Sequence, residues 1–503
     1  MTNLRAFALV WLLLCLGCGP GAHDVADGDG EPTASVGSPS LEQRLEEMIA
    51  AAEVPGLALA TVAPDGTIDE VVVGVASLES GAPVTTETVF EAASLSKPVT
   101  AYGALVQVAA GRLDLDRPLA EIVDVVAFAD GLEDPRLLEI TPWHVLSHTS
   151  GFPNWRRDGP PELRFDPGSE FGYSGEGFVL LGRALETLSG QPLDEYLAST
   201  VLEPLGMTRS SFVWRAAYVE TSAVGHDLLG VAREKGKPPN ANAAASLHTT
   251  AGDYALFLRE MLRPTLVPED LVARMAASAI TIDDGIGWSL GWGVETVTWE
   301  RSEGSLEDSG VLWHWGDNGA FRCFTALSPV RGEAVVYLTN SENGLALAAT
   351  ALHDVLGPAE HPAVEWAGYP QVADPAFRAQ QDLLRAGVEG GAEAVRQTDA
   401  VLRAELPEVA DDEALYNSLG YSLLWRDTYD AAIAIFSLNV ERHPESANVH
   451  DSLGEGYLRR AEAAQPEERA DDVAQAVAAY ERSLELDSGN DNARAMLERL
   501  AAL

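Results

Sequence analysis

Residues 89–97 read Val89-Phe90-Glu91-Ala92-Ala93-Ser94-Leu95-Ser96-Lys97, and an apolar run continues to about Gly111. The pattern predicts a helix that opens at Ser94. Residues three apart on a helix share a face, so the Ser94 hydroxyl falls beside the Lys97 amine. A serine hydroxyl is a poor nucleophile until a base takes its proton. A lysine serves as that base when burial or a neighbouring charge lowers its pKa. The helix N-terminus also offers backbone N–H groups to a developing oxyanion. The same spacing arises when a serine caps a helix and a lysine sits on its surface. The chain has only three lysines, Lys97, Lys235 and Lys237, which draws attention to the first.

Two further stretches decide between these readings. Residues 140–154 contain Leu146-Ser147-His148-Thr149-Ser150-Gly151, and residues 167–175 read Pro167-Gly168-Ser169-Glu170-Phe171-Gly172-Tyr173-Ser174-Gly175. A third, His314-Trp315-Gly316, is followed by Asp317-Asn318-Gly319 and a predicted strand. With Ser94-Leu95-Ser96-Lys97, these pieces in this order resemble the serine beta-lactamase and penicillin-binding-protein superfamily. They are most similar to the branch of class C beta-lactamases, D-stereospecific peptidases and related esterases.

The resemblance covers residues 41–357. It implies that Ser94 is acylated, that Lys97 is its base, and that Tyr173 is a second proton-transfer residue, a phenol kept partly ionised by the lysine. It places His314 on the strand lining the cleft, where a cationic imidazole would orient a substrate carboxylate. Trp315 and Gly316 complete that motif, Trp315 as a cleft wall. The backbone N–H groups of Ser94 and Asp317 become the oxyanion hole. One departure stands out: Gly175 occupies the place where the family carries an asparagine that binds the substrate amide. Together with His314 in place of a lysine, it leans away from efficient beta-lactam hydrolysis and toward peptidase or esterase chemistry. His144 and His148 are expected to be structural, His148 holding backbone groups at a turn. Of Trp155, Trp288, Trp292 and Trp315, each is first a candidate for core packing.

Periodicity sets the organisation. Leu41, Leu45, Met48 and Ile49 share a helical face, residues 56–62 and 70–75 read as strands around the turn Pro64-Asp65-Gly66, and residues 322–327 and 334–338 form a second strand pair. Residues 345–356 read as a closing helix. An antiparallel sheet flanked by helices, with a helical subdomain, is an α+β domain. Residues 358–374, rich in Pro, Gly and Ala, read as a linker. Residues 375–503 read as helix throughout. There, Leu419-Gly420, Ala432, Phe436 and Pro444 match a tetratricopeptide unit, and Leu453-Gly454 opens the next unit 34 residues on.

The length, 503 residues, suggests two or three folding units. A formal net charge of −44 disfavours nucleic acid and anionic membrane surfaces as partners. Residues 1–18 carry Arg5 and an apolar run too short to span a bilayer, ending at Gly17-Cys18. This resembles a bacterial lipoprotein signal, which implies lipidation of Cys18 and anchoring to the cell envelope, with residues 19–40 as a flexible tether. No metal-ligand spacing and no phosphate-binding loop is visible, so no cofactor or metal is expected. The expectation is a serine hydrolase acting by an acyl-enzyme on a small-molecule or peptide amide or ester (a D-amino-acid peptide, a beta-lactam or an ester), with the helical repeats open to a protein partner. The competing expectation is a catalytically weak or inactive sensor that uses those repeats as a scaffold.

Overall fold

The computed structural model describes residues 39–156, 159–276, 280–300 and 306–501. The expected signal segment with Cys18, and nearly all of the tether, lie outside the described residues. Residues 41–503 form one compact unit.

Ten strands are described: β1 (Gly56–Val62), β2 (Ile68–Gly74), β3 (Phe90–Glu91), β4 (His248–Thr249), β5 (Ile280–Asp283), β6 (Ile286–Trp288), β7 (Gly293–Glu300), β8 (Leu306–Asp317), β9 (Arg322–Ser328) and β10 (Glu333–Thr339). Eight of them form one antiparallel sheet in the order β2-β1-β10-β9-β8-β7-β6-β5, and β3 pairs with β4 apart from it. The start of the domain pairs with its end, Leu57 opposite Thr339 and Val62 opposite Ala334. Side chains alternate across β1. Leu57 and Leu59 join a core with the helices Leu41–Ala51 and Ala348–Leu356. Ala58 and Ala60 face a second core that holds the helices Ser96–Ala109, Gly175–Ser189 and Ala251–Leu262. Both faces of this strand are therefore buried, which is why it reads as a nearly unbroken apolar run. The α+β, beta-lactamase-like architecture expected from the sequence is the one observed. The sheet edge β5–β7 was not foreseen; its Trp288, and Trp292 in the turn after it, are fully buried.

Residues 358–374 are a packed strap. The short helix Pro362–Ala367 is fastened to β7: Glu295 accepts from His361 Nδ1 at 2.7 Å and from the Ala363 N–H at 2.8 Å, with both side chains buried. The Val372 N–H donates to the Ala346 carbonyl. Pro and Gly lower the cost of such an irregular path, so a composition that suggests a spacer equally suits a strap.

The C-terminal region is helical: Pro375–Glu405, Pro407–Ala410, Glu413–Leu424, Tyr429–Arg442, Ala447–Ala463, Ala470–Leu486 and Asp491–Leu500. Gly420 lies against Phe436 so closely that a Cβ there would fall 2.2 Å from the ring, and Gly454 faces Tyr480 in the same way at 3.0 Å. The first of these helices, and the turn after Glu413–Leu424, dock on the sheet domain. Gln381 donates to Asn343 at 2.8 Å, and Leu228 is part of the helical core. Arg426 meets Asp227 at 2.9 Å. The Asp227 carboxylate also meets Arg233 at 3.2 Å and accepts the Leu229 and Val231 N–H groups. Asp227 is buried, so its charge depends on these partners. Asp227→Ala orphans two backbone donors and removes the carboxylate that faces Arg426 and Arg233. Urea denaturation is expected to show a loss of about 3 kcal/mol.

Candidate active site

Three elements meet at Ser94. The β3 strand is held by β4, and the Ala92 N–H donates to the Leu247 carbonyl at 2.8 Å. Ala93 then adopts φ 48°, the left-handed region that an L-residue enters at a cost of about 1 kcal/mol. This kink swings Ser94 into a 3₁₀ turn, Ala93–Leu95, which runs directly into the helix Ser96–Ala109. Ser96 locks the turn: its hydroxyl donates to the Ala93 carbonyl at 2.6 Å and accepts the Leu247 N–H at 2.9 Å. The two serines of the motif thus have different work, Ser96 inside and Ser94 facing the cleft.

Lys97 Nζ donates to Ser94 Oγ at 2.9 Å and to the Ala244 carbonyl at 3.0 Å. The residue is 0% exposed. Around the amine stand the rings of Tyr173, Phe178 and Trp155, at 4.7, 5.9 and 6.0 Å. Burial pulls its pKa from 10.5 down to about 7. The surface-lysine reading is excluded, and the amine has the basicity a general base needs near neutrality.

Tyr173 leads into the helix Gly175–Ser189, capped by Ser174, whose hydroxyl accepts the Gly177 N–H at 2.9 Å and donates to the Pro153 carbonyl. The Ser174 N–H donates to His148 Nδ1 at 3.0 Å, and the Gly172 N–H to the His148 carbonyl at 2.8 Å. His148, itself at φ 54°, therefore stitches residues 140–154 to residues 167–175, as expected of a structural imidazole. Tyr173 corrects an expectation. Burial raises the pKa of its hydroxyl far above the ordinary phenol value, Ser94 opposing this only in part. Lys97 faces the ring rather than the oxygen, and the buried hydroxyl has no hydrogen-bond partner among the described residues, so burial favours the protonated phenol over the partly ionised one expected.

His314 corrects a second expectation. It is 0% exposed, and burial, then the nearby Lys97, lowers its pKa to about 3. Its Nδ1 sits 2.7 Å from the Trp315 carbonyl and must carry the proton there. With that one N–H committed and no charge, the imidazole has nothing to offer a carboxylate. Trp315 packs 4.9 Å from Tyr173. Gly316 is where β8 touches the nucleophile turn: a Cβ there would lie 2.5 Å from the Ala92 carbonyl.

The Asp317 N–H can be placed from the ladder. The Asn318 N–H donates to the Phe321 carbonyl, which makes 318 and 321 a hydrogen-bonded pair. Antiparallel pairs alternate, so Asp317 opposite Arg322 is a non-bonded pair and its N–H points off the other edge of β8. On that edge the pairing with β7 ends at Trp313 opposite Gly293. Among the described residues the Asp317 N–H thus lies outside both ladders of β8.

Gly175 has a physical reason. A Cβ there would fall 2.7 Å from Trp155 Cη2 and 2.8 Å from the Asn154 carbonyl. The Trp155 indole fills the room a side chain would take, while remaining 43% exposed at the cleft. Trp155 also borders a cavity of about 630 Å³ walled by Phe128, Val179 and Asn242. Sequence reasoning named Trp155 without assigning it this place, and the Ala244 carbonyl left no trace a sequence can show. Among the described residues, no cluster of His, Cys, Asp or Glu is arranged to hold a metal.

The low Lys97 pKa sets a pH profile. A base must be unprotonated, so acylation of Ser94 is expected to rise about tenfold per pH unit below 7 and to level off above it. Stopped-flow acylation between pH 5 and 9 measures this; a flat profile would remove Lys97 as the base.

A family model described as Beta-lactamase matches residues 41–359. Penicillin-binding protein 4 of Amycolatopsis lactamdurans is 29% identical over 61% of this chain and 85% of its own length. Esterase EstB of Burkholderia gladioli is 28% identical over 53% of this chain and 81% of its own. Among solved structures, the octameric penicillin-binding protein homologue from Pyrococcus abyssi matches with a TM-score of 0.53 and 24% identity, covering 68% of this chain and 80% of that one. The beta-lactamase/D-alanine carboxypeptidase from Pseudomonas syringae has a TM-score of 0.52 at 20% identity, covering 60% and 92%. By the family match and by its fold, this chain belongs to the beta-lactamase family.

Proposed function

We propose that the protein is a serine hydrolase that cleaves uncharged esters, and less readily amides, through an acyl-enzyme on Ser94. The Lys97 amine carries this assignment: wholly buried, 2.9 Å from Ser94 Oγ and with a pKa near 7, it is built to take a proton. Ser94 Oγ attacks the carbonyl carbon as its proton passes to Lys97 Nζ. The oxyanion sits between the Ser94 and Asp317 N–H groups. Collapse breaks the bond to the leaving oxygen, which takes a proton from the Tyr173 hydroxyl, and the proton held on Lys97 Nζ reaches the Tyr173 oxygen through the solvent that enters as the alcohol leaves. Water then repeats the sequence on the acyl-enzyme and releases the acid.

Charge supports the substrate class. His314 is neutral, and Arg322 is committed to Asp317 and the Glu342 carbonyl. Neither offers a cation for the carboxylate of a penicillin or a peptide C-terminus. The gap left by Gly175, closed by Trp155, removes an amide-reading group as well. That same closure is what favours the sensor reading as an alternative. We further propose that residues 375–503 are tetratricopeptide-type hairpins open to a protein partner; the Gly420–Phe436 and Gly454–Tyr480 contacts, one repeat apart, support this. Export and lipidation at Cys18 remain the proposal that residues 1–18 carry.

Treatment with a fluorophosphonate, and separately with a labelled penicillin, followed by peptide mapping, tests the assignment. A single fluorophosphonate adduct on Ser94, absent from Ser94→Ala, with little or no penicillin labelling, is expected. Stable penicillin labelling would return the substrate class to lactams or D-peptides. No adduct on folded protein would favour the sensor.

A further inference from the structure

Two aromatic side chains of the strap lie beyond residue 359, the end of the matched domain, and still reach the site. The Trp366 ring packs 5.9 Å from Trp315 and 6.1 Å from Phe171. The Tyr369 hydroxyl donates to Asp317 Oδ2 at 2.8 Å. We propose that Tyr369 is a positioning residue of the oxyanion hole, holding Asp317 so that its N–H stays aimed at the acyl carbonyl of the Ser94 ester; this rests on the acyl-enzyme reading above.

The position of Asp317, at the very end of the ladder, gives such a hold its effect. It is the last residue of β8, its N–H belongs to a non-bonded pair, and the chain turns at once through Gly319 at φ 74°. The last ladder bonds, at the Gly316–Cys323 and Asn318–Phe321 pairs, set the two peptide planes beside Asp317, and past them the chain reverses with no further strand among the described residues to hold it. Its carboxylate is therefore the available handle, and three groups grip it: the Gly319 N–H at 2.7 Å, Tyr369 at 2.8 Å and Arg322 at 3.1 Å. The first belongs to the same turn and moves with it. Arg322 stands on the facing strand and lies over the Tyr369 ring at 4.9 Å, so the two outside grips brace each other. Burial, then the Asp317 charge, raises the Tyr369 pKa, which keeps the hydroxyl a donor throughout the working range. The strap is itself fixed on both sides of Tyr369, by His361 and Ala363 on Glu295 and by Val372 on Ala346. An anchored phenol, bonded to the side chain of an oxyanion donor, controls where that donor points.

The test compares Tyr369→Phe with wild type in the whole chain, using a p-nitrophenyl ester and an alkyl boronic acid that mimics the tetrahedral intermediate. Loss of one hydroxyl is expected to lower kcat about tenfold and weaken boronate binding by a similar factor, short of the roughly 100-fold cost of losing an oxyanion donor outright, with KM changed less than about twofold. Asp317→Asn, which weakens the same contact, is expected to give the same split and no further loss when combined with Tyr369→Phe. Should Tyr369→Phe fold poorly, Asp317→Asn alone carries the measurement. Wild-type kcat and boronate affinity in both variants, or a rise in KM with kcat unchanged, would overturn the inference while leaving Ser94 chemistry in place. No Ser94-dependent turnover in wild type would instead overturn the reading on which it rests.

Discussion

An amine buried with no carboxylate beside it among the described residues is the constraint on which this site depends. Lys97 is fully enclosed, among aromatic rings and two imidazoles, with one hydroxyl and one carbonyl on its amine. A counter-ion would have kept the amine charged and useless as a base; apolar walls make the charged form expensive instead. The rest of the site keeps those walls in place. The Ala93 kink brings Ser94 onto the amine, Ser174 and His148 hold the Tyr173 ring against it, and β8 closes the far side through a residue with no side chain. The same dry environment decides the state of each neighbour. His314 loses its proton and Tyr173 keeps its own for one reason, that neither can be charged there.

The strap extends this logic outward. In a domain whose first and last strands pair, the chain leaves the sheet next to where it entered, and further polypeptide has a short path back over the cleft. Here that polypeptide carries Trp366 and Tyr369 onto β8 before becoming the first long helix. The helical region then fastens to the same domain through Arg426 and Gln381. Catalytic unit and helices are one folded body rather than beads on a string.

Much of this was legible in the sequence. Four short stretches located Ser94, Lys97, Tyr173 and His314 on the page, and the structure brings them together. The strands at 56–62, 322–327 and 334–338 were visible because their apolar residues are continuous or alternate cleanly. The strands at 280–300 were not, since Gly, Trp and Asp interrupt them and their burial comes from partners far along the chain. The strap was read as a linker because composition reports local flexibility and not long-range docking. Protonation states were misjudged for the same reason: charge on His314 and Tyr173 is set by burial, which has no local sequence mark.

The glycine at 175 and the tryptophan at 155 share one volume. Neither position can change alone without loss. A larger residue at 175 collides with the indole and with backbone, and a smaller one at 155 leaves a void beside the catalytic amine that water would fill. The two positions therefore form one structural unit, and a side chain can return to 175 only if the indole at 155 gives up its place.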